Sequence, residues 1–122
     1  MSALYKKVFL AFSFTLVCLA TLTPAQLLNA HHVMHVSFVG LDKVVHFSVF
    51  LLLGMSILLV FENHPKLVEI FLFTALFSLA TEAFQLFIPG RHMDIFDGFA
   101  NILGLLSGRF IIVKRRPRIL NS

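Results

Sequence analysis

The chain lacks tryptophan altogether, holds one cysteine among 122 residues, and is poor in charge: only 13% of its residues are Asp, Glu, Lys or Arg. Soluble domains carry about 25%, and a globule this small has the least forgiving ratio of surface to volume. Half the usual charge cannot cover that surface, which sets aside a soluble monomer. The lone Cys18 lies in an apolar run, so an intramolecular disulfide is excluded. Its neighbours in sequence are apolar, and it reads as a small hydrophobe. The sequence also lacks a Gly-rich phosphate loop and any dedicated metal-ligand spacing. No cofactor and no metal ligand are expected from motifs.

What the chain does contain is 58% hydrophobic residues, 15 of them Phe, with a mean hydropathy of +0.91. Helices are expected at about 5–24, 44–61, 67–88 and 95–113, each suited to a hydrocarbon core about 30 Å thick. Pro24 ends the first, Pro65 forbids a continuous second and third, and Pro89-Gly90 marks a turn before the fourth. The reading is an all-α, polytopic membrane bundle of four transmembrane helices, forming one domain over 1–122. Leu27, Leu28, Val33, Val36, Phe38 and Val39 make the long link before Asp42 too apolar for a free linker, and an interfacial segment is expected. Lys6, Lys7 and the following apolar run also imitate a secretory signal cut near Thr23-Pro24-Ala25, which would leave three spans. Pro24 beside that site argues against cleavage.

Four spans put both termini on one side. Lys6, Lys7, Lys66, Arg109, Lys114, Arg115, Arg116 and Arg118 fall there, and only Lys43 and Arg91 fall on the other side. Both termini are therefore expected in the cytoplasm. The Lys114–Arg118 cluster reads as a topology anchor beside anionic headgroups. Aromatic residues do not interleave with it, so nucleic acid is not an expected partner. The lipid bilayer is.

Ionisable residues in spans are costly and mark functional sites by default. Topology brings nearly all of them to one depth at the outer side. Asp42, Lys43 and His46 open the second helix, Glu82 and Gln85 close the third, and Asp94, Asp97 and Asn101 open the fourth, with Arg91 and His92 in the turn. Ala75, Ser78, Glu82 and Gln85 share one helical face, as do Asp94, Asp97, Asn101, Gly104 and Gly108. Ala100, Gly104 and Gly108 form a small-residue row that admits a close neighbour. The short turn makes the third and fourth helices antiparallel, and their small and polar faces are expected to pack together. His46, Phe50 and Gly54 give the second helix a compatible face.

Three motifs in order, Asp42-Lys43-x-x-His46-Phe47, Thr81-Glu82-x-x-Gln85-x-Phe87-x-Pro89-Gly90-Arg91 and Asp94-x-x-Asp97-x-x-x-Asn101-x-x-Gly104-x-x-x-Gly108, resemble the VanZ-like family of small bacterial integral membrane proteins. The resemblance covers about Asp42 to Gly108. It implies a multi-pass protein of the bacterial inner membrane and cell envelope. It also implies an association with resistance to glycopeptide antibiotics such as teicoplanin, and no established enzymatic activity.

Three readings of the polar residues follow. In the first, Asp42, Lys43, His46, Glu82, Gln85, Arg91, Asp94, Asp97 and Asn101 line a site for a lipid-linked or amphiphilic ligand. Arg91, Lys43 and His92 would then meet a phosphate or carboxylate headgroup. In the second, His46 with Glu82 or Asp97 forms the base–orienter pair of a membrane-embedded hydrolase or transferase, with the carboxylates and His46 as optional ligands of a divalent ion. In the third, the residues only hold the bundle together: Glu82 with Arg91 or Lys43, Asp97 with His46, and Gln85 and Asn101 across helices. His31, His32 and His35 are read as solvated, with a pH-sensing role as the sharper alternative. A transporter is disfavoured because the inner half offers no continuous polar path.

Overall fold

Each of the four apolar runs forms a helix, and most of the hydroxyl residues within the runs are satisfied by the helix itself. The computed structural model describes residues 1–24 and 40–114. The expectations for the interfacial segment, for His31, His32 and His35, and for Arg115, Arg116 and Arg118 lie outside the described residues. Helix α1 spans Ala3–Leu22, α2 Leu41–Phe61, α3 Leu67–Phe84 and α4 Ile95–Lys114. The hydroxyls of Ser13, Thr15, Thr21, Ser48, Ser56, Thr74, Ser78 and Thr81 each donate to a carbonyl three or four residues back. They add no unmet polarity to the spans.

Local chemistry sets the ends. The Ser2 hydroxyl accepts from the Tyr5 N–H at the start of α1, as an N-cap should. Helix α2 begins at Leu41 and so takes Asp42 into its first turn, where the positive end of the helix dipole favours a carboxylate. Helix α3 tightens into a 3-10 turn at Gln85–Phe87. Beyond it, the Arg91 N–H donates to the Ile88 carbonyl at 3.1 Å. Gly90 has φ 76°, the conformation that glycine supplies in a turn led by proline.

All four helices are long and apolar enough to cross a bilayer, and the chain is an all-α, multi-pass membrane protein. The helices alternate in direction, so α2 and α4 run parallel. Their contact is the most extensive in the bundle; α1 lies on α2 and α3 on α4. The small-residue row was expected to face α3, but it faces α2. A Cβ on Gly104 would collide with the Phe47 carbonyl, one on Gly108 with the Leu51 carbonyl, and one on Gly54 with the Leu105 carbonyl. A short turn makes α3 and α4 neighbours but does not choose the face. Backbone-to-backbone packing does, because dispersion is strongest where small residues of both helices coincide. Val17, Phe50, Leu53, Ile57, Leu58, Phe71 and Leu105 form the buried core. On the other side, α1, α2 and α3 enclose an apolar cleft of about 590 Å³ lined by Leu10, Phe14, Leu53, Ile57, Phe73 and Phe77.

Candidate functional site

The glycine seam brings the first turns of α2 and α4 side by side, and their polar residues meet there. Asp94 precedes α4 and caps it: its Oδ1 accepts from the Phe96 N–H at 2.9 Å. Its Oδ2 accepts from Lys43 Nζ at 2.8 Å, and Lys43 also donates to Asp97 Oδ1 at 3.1 Å. The Lys43 ammonium, followed by the Phe96 N–H, holds the Asp94 carboxyl below the usual carboxylate range. Lys43 and Asp94 are half-exposed and Asp97 is buried, so this network forms the rim and wall of the cluster.

One turn deeper, His46, Asn101 and Glu82 are wholly buried. Asn101 Oδ1 lies 2.8 Å from His46 Nδ1, and Asn101 Nδ2 donates to Glu82 Oε1 at 3.2 Å. Glu82 Oε1 is itself 3.3 Å from His46 Nδ1. Side chains from α2, α3 and α4 thus close one three-residue contact. On the other edge of the ring, His46 Nε2 is 3.8 Å from Asp42 Oδ1 and 3.9 Å from Asp97 Oδ2. Neither separation is a hydrogen bond. Two buried side-chain atoms, His46 Nε2 and Glu82 Oε2, have no hydrogen-bond partner among the described residues.

Gln85 and Arg91 turn toward α1 instead. Gln85 Nε2 donates to the Thr21 carbonyl at 3.1 Å. Arg91 donates from Nε to the Thr23 carbonyl at 2.9 Å and from Nη2 to the Ala20 carbonyl at 3.0 Å. The last carbonyls of a helix have no partner within it, and here two side chains from the α3–α4 corner supply one. That use of α1 was missed in the sequence. Its signal was present, since Pro24 stops the helix and leaves carbonyls bare close to the membrane surface.

Of the residues singled out, Asp42, Lys43, His46, Glu82, Asp94, Asp97 and Asn101 therefore come together. Gln85 and Arg91 lie at the same end but serve as helix caps, and His92 is exposed in the turn. Of the pairings expected in the structural reading, those of Glu82 with Arg91 or Lys43 are replaced by Glu82 with Asn101 and His46. Asp97 does lie beside His46, but its hydrogen bond is to Lys43. Gly104 and Gly108 position the cluster from below, and Ala100 is half-buried beside them.

Fold and site together define a class: a small four-span membrane protein whose buried ionisable and amide side chains are gathered at one end of the bundle. The profile of the VanZ/LLP1 family matches residues 3–118, and the chain belongs to that family. The match takes in the first helix, beyond the motif region that carried the resemblance. No curated protein and no solved structure matches the chain.

Proposed function

We propose that the polar end binds the headgroup of a lipid-linked or amphiphilic ligand at the outer face of the bacterial inner membrane, with both termini in the cytoplasm. The observation that carries this reading is a cluster buried at its base and open at its rim, set among exposed apolar side chains. Asp42, Lys43 and Asp94 reach solvent above buried His46, Glu82 and Asp97, while Phe87, Ile95 and Phe96 stand exposed beside them. A surface that is polar at its centre and apolar around it suits a molecule with both characters. A network serving packing alone would close its bonds, and this one leaves two buried atoms open. By family association, the cellular consequence is a changed susceptibility to glycopeptides such as teicoplanin.

Two probes test it on the purified protein in nanodiscs: a short-chain polyprenyl diphosphate and teicoplanin. Saturable binding of at least one probe is expected, weakened about tenfold in Lys43→Gln, as loss of one charge-assisted hydrogen bond would give. Binding of neither probe, or equal binding by wild type and variant, overturns the reading. In cells, expression of wild type but not of Lys43→Gln should change the inhibitory concentration of teicoplanin.

A further inference from the structure

The buried edge of His46 has chemistry that headgroup binding does not use. Nδ1 faces two acceptors, Asn101 Oδ1 at 2.8 Å and Glu82 Oε1 at 3.3 Å. Asn101 is held in that orientation because its Nδ2 donates to Glu82. With one proton on the ring, that proton belongs on Nδ1, and Nε2 keeps its lone pair. Nε2 is buried, has no hydrogen-bond partner among the described residues, and points between Asp42 Oδ1 and Asp97 Oδ2. One ligand atom from each of Asp42, His46 and Asp97 lies within 4.8 Å of the other two. Three electron-pair donors that converge on one point repel one another. A cation at their centre removes the repulsion.

We propose that Asp42, His46 and Asp97 form a binding site for a divalent transition-metal ion, with zinc the best match. One neutral imidazole and two carboxylates carry a charge that a divalent ion balances. An imidazole nitrogen favours zinc over magnesium or calcium, which prefer oxygen-only shells. Zinc bonds of about 2.0–2.2 Å place tetrahedral ligand atoms about 3.4 Å apart. The separations of 3.8 and 3.9 Å from His46 close to that with movements of about half an ångström. Asp42, exposed in the first turn of α2, has the freedom to make them.

The supporting groups are already placed. Asn101 orients the far nitrogen of His46, and Lys43 holds the other oxygen of Asp97, as outer partners of metal ligands do. Three protein ligands leave a fourth position at the open rim, the pattern of sites that exchange water or ligand. The ion does not depend on the amphiphile reading, and its test uses metal alone.

The experiment is a Co²⁺ titration of the full chain in detergent, with any tag removed and the protein first treated with a chelator. Wild type should bind one ion per chain with visible tetrahedral absorption bands, displaced by Zn²⁺. His46→Gln should abolish the bands. Asp42→Asn, at an exposed position, should weaken binding by about 100-fold, and Asn101→Leu by about 10- to 100-fold. The triple variant His31→Gln/His32→Gln/His35→Gln should bind as wild type. Absence of saturable binding by wild type overturns the site. So does wild-type affinity in both Asp42→Asn and His46→Gln, or loss of binding in the triple variant.

Discussion

Between α2 and α4 there is no room for a Cβ at Gly54, Gly104 or Gly108, whereas α1, α2 and α3 enclose an apolar cleft of about 590 Å³. The polar contacts divide in the same way. Lys43, His46, Asp97 and Asn101 all stand on the two helices of the seam, while α1 is tied to the α3–α4 corner by Gln85 and Arg91 donating to its carbonyls. The seam fixes the spacing of charged groups, where an error of an ångström would separate them. The cleft side tolerates space because its tethers reach along a helix end and do not specify a register. Geometry is held tightly where the chemistry is, and loosely where it is not.

The largest expected effect comes from breaking the seam. Gly104→Ala sets a methyl against the Phe47 carbonyl, which only backbone movement can relieve, and should lower stability by about 3 kcal/mol. Unfolding in mixed micelles with rising dodecyl sulfate measures it. Asn101→Leu leaves the seam intact but strips a buried partner from both His46 and Glu82. A loss of about 2 kcal/mol in the same assay is expected. Arg91→Gln acts on the other side of the comparison. Loss of its bonds to Ala20 and Thr23 should cost about 1 kcal/mol, read as faster hydrogen exchange in α1 with α2 and α4 amides unchanged. Equal acceleration throughout would show that α1 and the seam are one cooperative unit.

The smallest effect is one of pH. Asp94 titrates below its ordinary range because Lys43 and the Phe96 N–H favour its charged form. Its contribution to stability is thus fully present above the unfolded carboxylate value of about 3.9 and is lost as pH falls through the lower folded value. The gap in unfolding midpoint between wild type and Asp94→Asn should shrink as the solution is acidified. A constant gap would remove Asp94 from the pH response.

Much of this organisation was legible in the sequence. Hydropathy and proline positions gave four spans because a helix in lipid must be apolar along its whole length and cannot pass through Pro65 or Pro89. Topology alone then brought Asp42, His46, Glu82, Asp97 and Asn101 to one depth, since helices that cross in alternate directions return their ends to the same surface. The partners of those residues were less legible. Arg91 had the charge to meet Glu82, yet it caps α1, because bare carbonyls at a helix end near the membrane have few other donors. The glycine row was recognised as a contact surface, but periodicity says only that a face exists.

Composition and periodicity thus decided the membrane class, the four helices and the end at which the polar residues of the spans collect, all of which follow from properties of single segments. The tertiary structure alone decided that α4 packs its glycines on α2, that Asn101 stands between His46 and Glu82, and that His46 Nε2 faces Asp42 and Asp97. Those are relations between segments far apart in the chain. They depend on which backbones approach most closely, a quantity that no single helix carries.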